Sequence, residues 1–133
     1  MGYEQQRIDI ESRFNSAWGA TTPIAWQNVG FTAPTSGSWV RLSILNGDSN
    51  QMSVGSTAGL YRNAGVISIS VFTEANQGTK AGLTLADQAA AVFRGAFFGA
   101  GIKCRSPRIT DLGLEGKYYR HEVSIPFMRD EQF

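Results

Sequence analysis

The sequence predicts an α+β fold: an antiparallel β-sheet, built from a three-strand meander plus a C-terminal hairpin, with an N-terminal helix and a longer central helix packed on one face. Three observations lead there. Residues 65–72 are β-branched and aromatic, with Val66, Ser68, Ser70 and Phe72 alternating against Ile67, Ile69 and Val71, as in a half-buried central strand. After the polar loop 73–78 the period changes, and Leu83, Ala86, Ala90, Phe93 and Phe97 recur every three or four residues as an apolar helical stripe opposite Thr84, Asp87, Gln88 and Arg94. Period two then returns near the C-terminus, where Tyr119, His121, Val123, Ile125 and Phe127 alternate with Tyr118, Arg120, Glu122 and Ser124. A strand and a helix each need a covered face, and neighbours in sequence supply it for one another.

Taken in order, residues Tyr3 to Trp18 read as an amphipathic helix, with Tyr3, Arg7, Ile10, Phe14, Ala17 and Trp18 on one side and Gly19 as its stop. Ile24, Trp26 and Val29, close to Pro23, suit an edge strand or extended strap. Residues 31–37 form a loop, and 39–45 form a strand with Val40, Leu42 and Ile44 facing one way and Trp39, Arg41 and Ser43 the other. Asn46-Gly47 is a strong turn signal, because a type I′ turn needs positive φ at both central positions. Residues 50–61, with Met52, Val54 and Leu60 as their sizeable aliphatic members, read as an irregular strand, and 63–65 as a second turn. The central helix can begin at Thr79 or at Thr84, where Thr84 and Asp87 have capping-box spacing, and Gly99 to Gly101 stop it. Beyond it come a strand over 102–110 broken at Pro107, a turn over 111–116, the last strand over 117–127, and a loose tail from Met128.

At 133 residues the chain makes one domain, 1–133, able to bury a core without disulfides. Only 17% of residues are charged, so Ser, Thr, Asn, Gln and Gly dominate the exposed positions, a composition suited to touching other protein. A net charge of +1 argues against a general polyanion binder. The single cysteine, Cys104, excludes an internal disulfide and a cysteine zinc cluster. The N-terminus lacks the pattern of a signal peptide or of a myristoylation site, and no window has the length of a membrane span.

Side-chain chemistry offers no catalytic constellation. His121, the sole histidine, lies on the inward side of the last strand while its neighbour Glu122 points to the other face, so a structural hydrogen bond is the expectation. Cys104 would act as a nucleophile only if its strand met His121 in one register. The carboxylates are scattered, which supports no metal site, and Gly78-Thr79-Lys80 lacks the first glycine of a phosphate loop, which supports no cofactor. Lys103, Arg105, Arg108, Lys117 and Arg120 could form a basic patch along the C-terminal hairpin, read first as a solvated strand face, with a charged subunit contact or a nucleic-acid-facing wall behind it; Trp26, Phe31 and Trp39 could stack on sugar or base, or serve as a core rim or a subunit contact.

The N-terminal helix, then 22–29 with Phe31, then 39–42, then 65–72, then Gly78 with Leu85, Ala86, Asp87 and Phe93, in this order and spacing through Phe127, resemble the tail-terminator and minor tail proteins of long-tailed bacteriophages of the lambda type. The resemblance implies a structural protein, not an enzyme. It would be assembled in the host bacterial cytoplasm into the virion tail as a hexameric ring of copies on the end of the tail tube, ending tube growth and offering a surface to a head-side connector or neck protein. Nucleic acid would meet it only by passing through the ring, and no membrane is involved. A ring needs heterologous contacts. The loops 46–63 and 73–78 suit these, giving Asn46, Gly47, Asp48, Asn63, Glu74, Asn76, Gln77 and Gly78 as interface candidates, with Arg41 and Arg62 flanking them. The rival readings are a neck protein that contacts DNA, marked by salt-sensitive DNA retention, and a small ligand-binding domain, marked by a pocket with convergent polar groups.

Overall fold

The computed structural model describes residues 2–19, 21–32, 34, 37–51, 60–76, 78–99 and 101–132, leaving aside the side chains of 48, 50, 51, 60, 131 and 132. In chain order its elements are α1 (Tyr3–Trp18), β1 (Ile24–Trp26), β2 (Trp39–Gln51), β3 (Leu60–Glu74), α2 (Lys80–Phe93), β4 (Phe97–Phe98), β5 (Ile102–Cys104), β6 (Arg108–Glu115) and β7 (Tyr118–Gln132). Among the described residues the strands form one sheet in the order β1-β2-β3-β7-β5-β4, with β6 pairing the other half of β7. All pairings are antiparallel except β1 with β2, which is parallel. The class is thus α+β with a mostly antiparallel sheet.

Alternation explains the layering. Val40, Leu42 and Ile44 from β2, Ile67, Ile69 and Val71 from β3, and Val123, Ile125 and Phe127 from β7 form one core with Ile10, Phe14 and Trp18 of α1 and Ala86, Ala89, Ala90 and Phe93 of α2. Both helices therefore cover the same sheet face. The Phe14 ring stacks on Trp18 and Phe93, at centroid distances of 5.1 and 6.1 Å, and Arg13 Nε donates to the Val92 carbonyl at 2.8 Å, which joins the two helices. Among the described residues the opposite face carries no helix.

Several local expectations give way to strand pairing. No turn forms at Asn46-Gly47: β2 runs through both residues, with a register shift between Asn46 and Ser49. A bulge absorbs the extra residue there, because the partner strand β3 is held along its length by β7 on its other side. Gly65 likewise does not turn. It lies inside β3, where a Cβ would sit 2.7 Å from the Phe127 ring and 2.8 Å from the Leu45 carbonyl oxygen, so the missing side chain makes room for packing. The expected meander is accordingly two long strands, β2 and β3, followed across the sheet by β7; Met52 and Val54 lie outside the described residues. Residues 128–132, expected to be loose, extend β7 and pair with β3 and β5. The expected turn over 111–116 is mostly strand β6, with a bulge between Asp111 and Gly113, and the reversal falls at Gly116.

The central helix is two residues shorter than α1, at 14 against 16, and begins at Lys80. It stops at Phe93, not at Gly99, because Arg94 leaves helical geometry and Gly95 takes φ of 60°. Phe97 therefore leaves the stripe: it lies in β4 and is 70% exposed, while Leu83 faces outward and Ala89 takes a buried place. On α1 the buried row is Gln6, Ile10, Phe14 and Trp18, a strict i+4 series that excludes the exposed Arg7, Tyr3 and Ala17.

At Gly82 α2 approaches the sheet closely, since a Cβ there would fall on the His121 ring, itself fully buried. Gly82→Ala should lower the unfolding free energy by about 1–3 kcal/mol in urea titration, the overpacking exceeding the roughly 1 kcal/mol that alanine gains in helix propensity.

Candidate functional site: the open sheet face

Register fixes which side chains stand on the uncovered face. Trp39 and Arg41 of β2 pair with Phe72 and Ser70 of β3, and these pair with Arg120 and Glu122 of β7. Ala25, Trp39, Phe72 and Tyr118 form a second buried cluster there. Trp39 stacks on Phe72 at 4.1 Å and 8°, and Tyr118 sits edge-on to both rings. The segment between β1 and β2 straps over this end of the face: Phe31 lies 5.0 Å from Trp39, Tyr118 Oη donates to the Pro34 carbonyl at 2.6 Å, and Gly37 N donates to Glu74 Oε1 at 2.9 Å.

Two guanidinium groups flank the aromatic pair. Arg41 lies 5.3 Å from the Trp39 ring and 5.5 Å from Phe72, and Arg120 lies 5.5 Å from the same Phe72 ring. Arg120 donates to Ser70 Oγ at 2.9 Å and to Glu115 Oε2 at 3.2 Å, with Glu122 Oε1 at 4.0 Å. Glu122 in turn accepts from Ser68 Oγ at 2.7 Å.

The other predicted residues fall into two groups at opposite ends of β3, roughly 40 Å apart along the strand. At one end Asn46 Oδ1 accepts from Gln6 Nε2 at 2.8 Å, and Gly47 lies in the bulge beside Ala64. Arg62 grips Asp130 with two bonds of 2.8 and 3.2 Å, which hold the Asp130 carboxyl below its usual range and raise the arginine. Asn63 is buried at 3% exposure, because it belongs to β3 and not to a loop, so it supports this end from within. Asp48 belongs to β2, and its side chain lies outside the described residues. At the other end are Glu74 and the exposed turn residues Asn76 and Gly78, with φ of 66° and 77°; Gln77 lies outside the described residues.

Sequence reasoning missed Gln27. β1 covers β2 only at residues 40–42, and just beyond it the Gln27 side chain imitates a further strand, its Oε1 accepting from Ile44 N at 2.9 Å. The Trp39–Phe72–Tyr118–Arg120 grouping was also missed, because alternation gives each strand's face and the cross-strand register gives the neighbours.

The groups that could carry chemistry do not converge. His121 is fully buried and among the described residues neither ring nitrogen has a hydrogen-bond partner, contrary to the structural bond expected of it; the Gly82 backbone and the Tyr119 ring, 5.2 Å away, pack against it. Its cross-strand neighbour Asp111 accepts instead from the Tyr119 hydroxyl, which holds that carboxyl low. Cys104 pairs with Phe127, six residues along β7 from His121, or about 20 Å. Among the described residues no three His, Cys, Asp or Glu side chains gather as for a metal ion. The basic residues do not merge into a patch either: Arg108 and Lys117 stand at opposite ends of the β6–β7 hairpin, and Arg120 is paired. A depression of about 670 Å³ between Thr22, Ser38 and the first turns of α2 contains no histidine, cysteine or carboxylate among its lining residues.

The fold is an α+β module with one sheet face left uncovered by either helix. The comparisons with known proteins make it specific. The family profile described as "Phage tail terminator protein" matches residues 9–127, and the chain belongs to that family. It is a component of the phage virion tail with a structural part in tail assembly. No curated protein sequence matches the chain. A solved protein structure superposes on it with a TM-score of 0.67 at 22% identity, over 100% of this chain and 97% of that one, and so shares the fold.

Burial pushes the Cys104 thiol from 9.0 up to about 11, only weakly opposed by the charge of Arg13. At pH 8 its thiolate fraction should be about a hundredfold below that of an unperturbed thiol. Ellman's reagent should accordingly label the folded protein slowly and the urea-unfolded protein at once.

Proposed function

We propose that this protein caps the tail tube as a ring of copies, hexameric as the resemblance implies, which ends tube polymerisation and presents a joining surface to the head-side connector or neck protein. Assembly would take place in the host bacterial cytoplasm. The observation that carries the reading is family membership across residues 9–127.

The sheet has the means for such a ring. Its two edges differ: on one side β1 and the stretch of β2 beyond Gln27, on the other β6 and β4. Unlike edges favour heterologous contacts, which close into a ring when the rotation returns to its start. Asn46, Gly47, Asp48 and Arg62 at one end of β3, and Glu74, Asn76, Gln77 and Gly78 at the other, then meet neighbouring copies, the tube protein or the connector, with Asn63 buttressing the first group. Arg41, Arg108 and Arg120 on the open face are matched by Glu74, Glu115 and Glu122, a balance that suits DNA passing through rather than being held.

The test is to polymerise the cognate tail-tube protein with and without this chain and image both by negative stain. Rings at one tube end and a shortened length distribution are expected. Tubes of unchanged length with bare ends overturn the reading, and duplex DNA retention that falls with salt would move the protein to the neck.

A further inference from the structure

The open face is rich in donors and short of acceptors at one point. Trp39 is 5% exposed, yet among the described residues its Nε1 has no acceptor, and Arg120 Nε is buried without one. Arg41, exposed one cross-strand row away and over the Trp39 and Phe72 rings, makes neither a hydrogen bond nor an ion pair among the described residues. Buried N–H groups without acceptors are uncommon in folded proteins and call for an outside partner. Two such buried donors, with the exposed Arg41 guanidinium beside the same aromatic stack, leave this part of the face in want of an acceptor. The paired glutamates around them disfavour a polyanion, so a protein carboxylate fits better than a phosphate chain.

Among the described residues one such group is on offer. Of the carboxylates whose side chains are described, Asp87 alone has no hydrogen bond or ion pair: Glu4 and Glu11 hold Arg7, Asp9 is held by Gln5, Glu74 by Gly37, Asp111 by Tyr119, Glu115 and Glu122 by Arg120, and Asp130 by Arg62. Asp87 stands on the outer side of α2, opposite its buried row of Gly82, Ala86, Ala89, Ala90 and Phe93. Leu83, one turn before it, is 42% exposed, and Ala91, one turn after, is exposed too, so the acid sits in a thin apolar stripe. Within one copy the sheet separates Asp87 from Arg41, and they can meet only between copies.

We propose that the open face of one copy receives the outer face of α2 from the next, with the Asp87 carboxylate seated on Arg41 beside Trp39. The contact joins the front of one two-layer subunit to the back of another, which is heterologous and therefore able to continue around a ring. It rests on the ring reading above and adds to it the pair of surfaces in contact.

Charge exchange tests it. Sedimentation velocity of the full chain over a concentration series, with unfolding curves to confirm each variant folds, should show Arg41→Glu and Asp87→Arg each raising the half-assembly concentration at least about tenfold. The double variant should return to near the wild-type value. The milder Arg41→Gln and Asp87→Asn should weaken assembly in the same direction should either reversal fail to fold. Wild-type rings that persist unchanged in the single variants, or a double variant no better than the singles, overturn this contact and leave the tail-cap reading standing. A wild-type chain that stays monomeric at every concentration, alone and with tubes, removes both.

Discussion

The pairing of β3 with β7 is the constraint on which the remainder depends. The two strands, each 15 residues long, pair from Leu60 with Gln132 to Glu74 with Tyr118 without a bulge. That register puts Ile67 opposite Ile125 and Ile69 opposite Val123 on the helix side, and Phe72 opposite Arg120 on the open side. A slip by one residue would reverse every one of these assignments, exposing the core and burying the arginines. The unbroken ladder also accounts for the bulges: β2 and β6, each pairing with a member of this ladder, take up the local mismatch themselves.

A second tie fixes how α1 sits on that ladder. Arg129, near the end of β7 and 1% exposed, donates through Nε to Gln6 Oε1 at 3.1 Å, and Gln6 passes the connection to Asn46. Its guanidinium also lies 5.6 Å from the Tyr3 ring. A polar residue on the buried row of α1 would be costly against hydrocarbon alone; here it is answered by hydrogen bonds from two strands. The network explains why residues 128–132 continue the sheet and why Asn46, whose sequence reads as a turn, lies in a strand.

The two faces of the sheet thus do different work. One is sealed by both helices and holds the apolar core together with His121. The other carries the Trp39, Phe72 and Tyr118 cluster at one end, with polar cross-bracing by Arg120, Glu122, Ser68 and Ser70 beside it. A two-layer subunit with one sheet face left uncovered holds its own core and still presents a face for contact.

The sequence by itself determined the parts whose cause is local periodicity: α1 to the residue, the alternation of residues 65–72 and 117–127, the core set of Val40, Leu42, Ile44, Ile67, Ile69, Val71, Val123 and Ile125, and, through the order of its apolar blocks, the tail-terminator family. Tertiary structure decided what depends on partners distant in the chain. Asn46-Gly47 and Gly65 carry turn chemistry, yet they lie in strands because β7 holds β3 extended and Phe127 needs the space above Gly65. Phe97 keeps the helical spacing, yet Gly95 ends α2 before reaching it. Arg41 could be chosen from sequence only as the flank of a loop; its setting over Trp39 and Phe72 exists through a cross-strand register, which periodicity does not encode.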